Sequence, residues 1–305
     1  MITVISCASS ANLGPGYDSA SLALNAFHEI LDVEVSQGEM TMPIAVTRKD
    51  GSRLKGTPQE AVAGAILHDF DSKERIKLVS RGNIPWGLGL GSSGACSVAT
   101  VLALNELLDL HLTRESMIKY AALGEKTVTG TAHMDNVIAS LVGGLVLIKS
   151  IDPPMWHKLS IHPDLKLAVI NIYIEITEKT KKCRAVVPEQ VKIGAAVSNA
   201  RNLAMLILGL KTYDTELIRA GMNDAIVEQA RSSIYPFYLK LKENLLAHGA
   251  LGVALSGAGP SVLCVLGEDQ QMDNIRIATK EVLGVNSIPF DVFESGVCGG
   301  AVIAR

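Results

Sequence analysis

The chain is poor in aromatic residues, in charge and in paired cysteines. Aromatics make up 4% of its 305 residues and charged residues 19%, with a net charge of -3. Nucleic acid asks for an excess of basic side chains, and single strands also ask for rings to stack on. Neither is supplied, so no nucleic-acid partner is expected. The five cysteines, Cys7, Cys96, Cys183, Cys264 and Cys298, are scattered, odd in number and form no CxxC. Such a set reads as reduced thiols in a cytosolic protein, not as a disulfide framework or a zinc site. None of the seven histidines stands in an HExxH, which removes a zinc-hydrolase reading. The opening residues, MITVISCASSANLG, lack the basic region and apolar core of a leader peptide. No uninterrupted apolar run reaches the ~18 residues of a membrane span. A cytoplasmic protein with no membrane partner is therefore expected.

What the chain does have is 48% hydrophobic content, enough for large cores, laid down in short alternating segments. Residues 2–8, 30–36, 42–48, 75–80 and 143–150 read as strands, and 58–70, 93–108 and 113–126 as helices. Beyond Pro153-Pro154, residues 165–174 read as a strand and 189–210 and 235–249 as helices. Residues 252–266 read as strand, Gly-rich loop and strand, and a helix near 270–283 precedes a final strand. The order predicts an α+β chain divided at 1–153 and 154–305, not a regular parallel βαβ series.

The stretch NIPWGLGLGSSGACSVATVLALNELLDL, residues 83–110, passes from glycine and serine straight into an apolar helix. Gly89, Gly91 and Gly94 match G-x-G-x-x-G, and Asp109 lies about where a ribose-binding acid would. That fingerprint needs a strand entering the first glycine and the acid at the end of a second strand. Pro85 and Trp86 break the approach, and Asp109 closes the same helix. No Lys follows the glycines, which excludes a Walker A loop. Two readings remain. One is a Ser-capped helix after a turn. The other is a phosphate cradle, with glycines allowing close approach, serines donating and the helix start supplying free N–H groups.

Two further segments, SSANLGPGYD at 9–18 and LSGAGPS at 255–261, join this loop. Together they resemble the GHMP kinases, and SSANLGPGYD is similar to the homoserine kinase branch in particular. So are AHMDN at 132–136 and TKKCRAVVP at 180–188, in order and over about residues 4–265. The resemblance implies a two-lobed GHMP kinase fold, with a ribosomal S5 domain 2-like N-terminal lobe, a ferredoxin-like C-terminal lobe and the active site between them. It implies ATP-dependent phosphorylation of the side-chain hydroxyl of L-homoserine in threonine biosynthesis, with Mg²⁺, by a homodimer. A kinase of the same family acting on a mevalonate- or shikimate-like alcohol, or a non-catalytic sensor on this fold, stays open.

By the same resemblance, Pro85, Gly87, Leu88, Gly89, Leu90, Gly91, Ser92, Ser93, Gly94 and Ala95 wrap the ATP phosphates. Ser93 and Glu125 hold the metal. Glu125 is odd on spacing alone: it stands at i+4 from Ala121 and i+7 from Ile118, on the apolar face of its helix, where a carboxylate needs a partner. Asn12 and Asp18 match the residues on the amino end and hydroxyl of homoserine, and Arg184 and Arg231 those on its carboxylate. Thr180 lies one helical turn before Arg184, and Gly257 belongs to the second glycine turn on the substrate side. His133, Asp135 and Asn136 match the loop beside the reacting hydroxyl. Asn136 stands where mevalonate-type relatives place an Asp base, which suggests an oriented hydroxyl without a base, while Asp135 keeps a base open. Gly94 occupies a position where the family commonly has Ala. With so few rings, an aliphatic adenine pocket is expected.

Overall fold

The computed structural model describes residues 1–37, 43–130, 134–267 and 271–304. The chain runs β1 (Ile2–Asn12), β2 (Gly16–Ser36), β3 (Ile44–Arg48), β4 (Arg53–Leu54), α1 (Pro58–Asp69), β5 (Arg75–Ser80), α2 (Ser92–Leu107), α3 (Arg114–Thr129), α4 (Met134–Val142), β6 (Leu145–Ser150) and β7 (Met155–Leu159). It continues through β8 (Lys166–Ile172), α5 (Lys179–Ala185), α6 (Ile193–Thr212), α7 (Thr215–Gly221), α8 (Val227–Arg231), α9 (Tyr238–Ala247), β9 (Gly252–Leu255), β10 (Val262–Leu266), α10 (Gln271–Thr279), β11 (Phe290–Ser295) and β12 (Val302–Ala304).

Local chemistry fixes several boundaries. The α1 start is a capping box: the Thr57 side chain accepts from the Glu60 N–H, Glu60 reaches back to the Thr57 N–H, and Pro58 takes the first helical position. Thr113 caps α3 more simply, its side chain accepting from the Ser116 N–H, and Gly130 ends it in a left-handed conformation.

Two sheets form. The larger has eight strands in the order β12-β1-β2-β5-β3-β4, with β6 on β2 and β7 on β6. The smaller is antiparallel, ordered β11-β8-β10-β9. Numbered from β8, that is 4-1-3-2 within a β-α-β-β-α-β series, the ferredoxin-like arrangement. Strand alternation divides the apolar residues into layers. Leu167 and Val169 on β8, with Leu263 and Val265 on β10, face Leu22, Leu24 and Leu90 from the first half of the chain. Ala168, Ile170 and Ile172 point the other way, onto Tyr235, Tyr238, Leu241 and Leu245. A third cluster fills the space between the large sheet and α1–α4, with Leu31, Leu78, Ile66, Leu104, Ile118 and Ile138 at its centre. The two sheets are thus packed on one another through a continuous apolar layer.

The short elements β4, α5, α7 and α8 lie outside the segments read as helix or strand, and four larger departures bear on the fold. First, β2 starts at Gly16, not near residue 30, and runs 21 residues; the turn glycines and small polar residues of SSANLGPGYD conceal it. Second, Met134–Val142 form α4, so Asp135 and Asn136 stand in the first turn of a helix and not in the loop expected of them. Third, the sheets do not divide at Pro153-Pro154: β7 hairpins back onto β6, and β12 at the chain end pairs with β1. That last pairing brings Cys7 and Cys298 together with Cα atoms 6.4 Å apart, and the two are joined as a disulfide. Cys96, Cys183 and Cys264 are free and buried, as expected of reduced thiols. Fourth, α6 reaches a mean hydropathy of 1.4 over an 18-residue window, which meets the length and composition of a membrane span. Here Leu206 and Leu210 bury one face of that helix against the central layer, while Ile193, Val197 and Leu208 are exposed.

Candidate active site

The glycine-rich segment enters α2 without a serine cap. The residue before the helix is Gly91, left-handed at φ 66°, which has no side chain with which to cap the first-turn N–H groups. The Ser-capped alternative is therefore not what forms, and the helix start keeps its donors and the positive end of its dipole. Gly91 is required for two reasons. A side chain there would be strained by the backbone, and its Cβ would collide with the Ser9 hydroxyl and lie 3.0 Å from Asn136 Oδ1. Ser9 donates to that same Asn136 Oδ1 at 2.9 Å, which locks the asparagine beside the helix start.

The loop before α2 is held from the other side. Ser256 Oγ donates to the Gly89 carbonyl at 2.8 Å, the Ser261 N–H to Leu88 at 3.2 Å, and Lys179 Nζ to Gly87 at 2.6 Å. Three successive carbonyls are thus tethered, two by the second glycine turn and one by Lys179 of α5. Gly89 permits this approach: a Cβ on it would stand 2.8 Å from the Gly259 carbonyl oxygen.

Between these loops lies a cleft of about 840 Å³. Asn12, Asp18, Pro85, Gly87, Gly89, Leu90, Gly91, Ser92, Ser93, Glu125, Asp135, Asn136, Thr180, Arg184, Arg231 and Gly257 all line it. Residues from both ends of the sequence reading therefore converge on one cavity. Leu88 lines a neighbouring cavity instead, and Gly94 and Ala95 are inside α2. His133 lies outside the described residues.

Two chemically distinct ends are visible. At one, Ser93 Oγ donates to Glu125 Oε1 beside the α2 start. Glu125 is only 3% exposed, on the same buried helix face as Ile118 and Ala121, as the spacing predicts. A hydroxyl and a carboxylate are hard oxygen donors, and this pair fits Mg²⁺. At the other end, Arg184 pairs with Asp18 at 3.3 Å. Arg231 is 4% exposed, unlike an ordinary surface arginine. Its Nη1 donates to the Gly257 carbonyl at 2.7 Å and its Nε to the Cys183 carbonyl at 3.3 Å. The Tyr17 ring lies against both guanidinium groups, 5.9 Å from Arg184 and 5.5 Å from Arg231. Burial, and the nearby Asp18 carboxylate, raise the Tyr17 phenol so that it stays neutral. Asn12 bridges the halves: its Nδ2 donates to Gly257 O at 3.0 Å and its Oδ1 accepts from the Asp18 N–H at 3.1 Å.

Sequence reasoning missed four residues here: Ser9, Tyr17, Lys179 and Trp86. Ser9 and Tyr17 sit inside SSANLGPGYD, so the segment was legible although their roles were not. Trp86, 53% exposed, stands where the cleft meets a groove lined by Leu54, Thr57, Pro58 and Ile84. No signal marks Lys179 among its lysine neighbours.

Known proteins resemble this chain over nearly its whole length. The family description "GHMP kinases N terminal domain" matches residues 58–144, and "GHMP kinases C terminal" matches 206–281. A homoserine kinase of Thermoplasma volcanium is 39% identical, covering 87% of this chain and 84% of that protein. One from Sulfolobus acidocaldarius is 36% identical over 97% of both. Among solved structures, a homoserine kinase from Cytophaga hutchinsonii superposes with a TM-score of 0.89 at 31% identity, covering 99% of this chain and 97% of that one. The chain belongs to the GHMP kinase family, in its homoserine kinase branch.

Proposed function

We propose that the chain transfers the γ-phosphoryl group of ATP to the side-chain hydroxyl of L-homoserine, giving O-phospho-L-homoserine and ADP. The observation that carries this is the pairing of two guanidinium groups and one carboxylate, Arg184, Arg231 and Asp18, in the same cleft as an uncapped helix start. A zwitterionic amino acid needs both charges answered at once. A mevalonate- or shikimate-like acid has no ammonium for Asp18 to bind.

Phosphoryl transfer asks a protein mainly for positioning and charge neutralisation. The Gly89–Ser93 backbone and the α2 start would take the phosphates. Ser93 and Glu125 would hold Mg²⁺, which supplies charge neutralisation on the phosphate oxygens. Arg231, fixed by two carbonyls, would take the homoserine carboxylate together with Arg184, while Asp18 turns from Arg184 to the ammonium. The amino acid's hydroxyl then faces Asn136. An amide cannot accept a proton as a base, and its Oδ1 already accepts from Ser9, so Asn136 would orient the hydroxyl through Nδ2 while the hydroxyl proton passes to an oxygen of the transferred γ-phosphoryl group and ADP leaves. Asp135, 6% exposed and accepting the Asn136 N–H at 2.8 Å, is the one carboxylate adjacent to it in sequence. Asp135→Asn separates the two schemes, since a required base would lose its turnover entirely. The adenosine end would run from Trp86 into the groove of Thr57, Pro58 and Ile84, giving the base one ring to lie against where an aliphatic pocket was expected.

The test is ADP release over a panel of homoserine, the amino alcohol lacking its carboxylate, mevalonate and shikimate. Homoserine should stand alone. Turnover of mevalonate or shikimate with none of homoserine would refute the substrate while leaving the kinase.

A further inference from the structure

We propose that Lys179 is a phosphate-binding residue of the cleft, its ammonium held by two carbonyls so that its remaining N–H meets the terminal phosphates of the nucleotide. The inference rests on the kinase reading above, since it needs ATP in this cleft.

Lys179 Nζ donates to Gly87 O, in the loop before α2, and to Gly259 O, in the second glycine turn. An ammonium has three N–H groups, so one stays free of any partner among the described residues. The side chain lines the same cleft as Gly91, Ser93 and Glu125. Of the three groups that tether the Gly87–Gly89 carbonyls, Ser256 Oγ and the Ser261 N–H are neutral; Lys179 alone brings charge. A serine or a backbone N–H would tether a carbonyl as well, and without the cost of withdrawing a cation from water.

Among the described residues no carboxylate pairs with that cation, and the neighbouring Glu178 pairs with Lys181 at 3.2 Å. Burial pushes its pKa down to about 8, Arg231 on α8 pushes in the same direction, and Cys183 on its own helix opposes. Residues 85–91 and 256–260 contribute no ionisable side chain. Tyr235, packed against Gly259, is kept neutral because burial raises its phenol. A half-buried cation facing a cleft with no counter-charge is stabilised when an anion enters. The polyanion the cleft is built for is the triphosphate.

The test uses ATP affinity measured calorimetrically without homoserine, so that it does not depend on the substrate being correct. Lys179→Met should weaken ATP by at least about tenfold and leave homoserine affinity within about twofold. In the wild type, ATP affinity should fall as pH rises through about 8, because the ammonium loses its proton. In Lys179→Arg that fall should move beyond about pH 10, since a guanidinium stays charged. A lysine acting only as a tether would lower the melting temperature without moving the pH profile. Unchanged ATP affinity in Lys179→Met, or a fall near pH 8 that persists in Lys179→Arg, overturns the proposal. Should Lys179→Met fail to fold, the Arg profile decides alone. ATP binding that behaves as described, with no ADP formed from homoserine, would refute the substrate and uphold Lys179.

Discussion

Glu29 offers a prediction in which the sign and the size both follow from the structure. It lies on β2 opposite Ser6 of β1 and is 4% exposed. Its Oε1 is buried with no hydrogen-bond partner among the described residues, and Gly82 leaves room for it, since a Cβ there would lie 2.8 Å from the Glu29 Cα. Burial raises its pKa from 4.5 to about 7, with Ser80 and Cys96 offsetting part of the effect. The folded state therefore prefers the protonated carboxyl. The stability that preference contributes is fully present below about pH 4.5, declines as pH rises, and is lost above about 7. A shift of that size corresponds to about 3 kcal/mol. Glu29→Gln keeps the shape and fixes the group neutral. The variant should match wild type near pH 4.5 and melt about 4–6 °C higher at pH 8, for a chain of this size. Melting both proteins across pH 4.5 to 8.5 by circular dichroism checks it. A gap between them that does not change with pH would mean that Glu29 is solvated or paired, and the reasoning would fail.

Four further outcomes are expected. Gly91→Val should abolish ATP turnover and also lower the melting temperature, because its side chain points at Ser9 and Asn136 and not only at the phosphates; wild-type turnover in the folded variant would remove the loop from the site. Glu125→Gln should reduce kcat and raise the Mg²⁺ requirement by at least the roughly 10–100-fold that loss of even an outer partner of a metal ligand costs, and an unchanged Mg²⁺ titration would make Glu125 structural. Arg184→Met should weaken homoserine by about 1–3 kcal/mol with little change in the KM for ATP. Arg231→Met should cost about 2–4 kcal/mol and stability besides, since the Cys183 carbonyl loses this donor and the Gly257 carbonyl keeps only Asn12. Homoserine affinity unchanged in both, by calorimetry, would put the carboxylate elsewhere.

Much of this protein was legible in its sequence because it is written in local chemistry. Thr57-Pro58 with Glu60 and Thr113 announce helix starts through caps, and the alternation in β8 and β10 is set by the two-residue period of a strand. Spacing alone put Glu125 on the buried face with Ile118 and Ala121. The glycine motif could be separated from a dinucleotide loop because a proline and a missing second strand are features of the chain itself. What only the tertiary structure decided is which distant segments meet. β12 lies on β1, nearly the whole chain away, so the disulfide between Cys7 and Cys298 and the true division of the sheets could not be read from spacing. Arg231 looks like a surface arginine in VEQARSSIYP; it is buried because α8 packs against α5 and the Gly257 turn. Lys179 is one of three lysines in four residues, and nothing local distinguishes it. It is singled out when the fold sets the Gly87 and Gly259 carbonyls within reach of one ammonium. Periodicity and capping act over a few residues, through the backbone's own geometry. A site is a property of contacts between segments far apart in the chain, and those are fixed by how the layers pack.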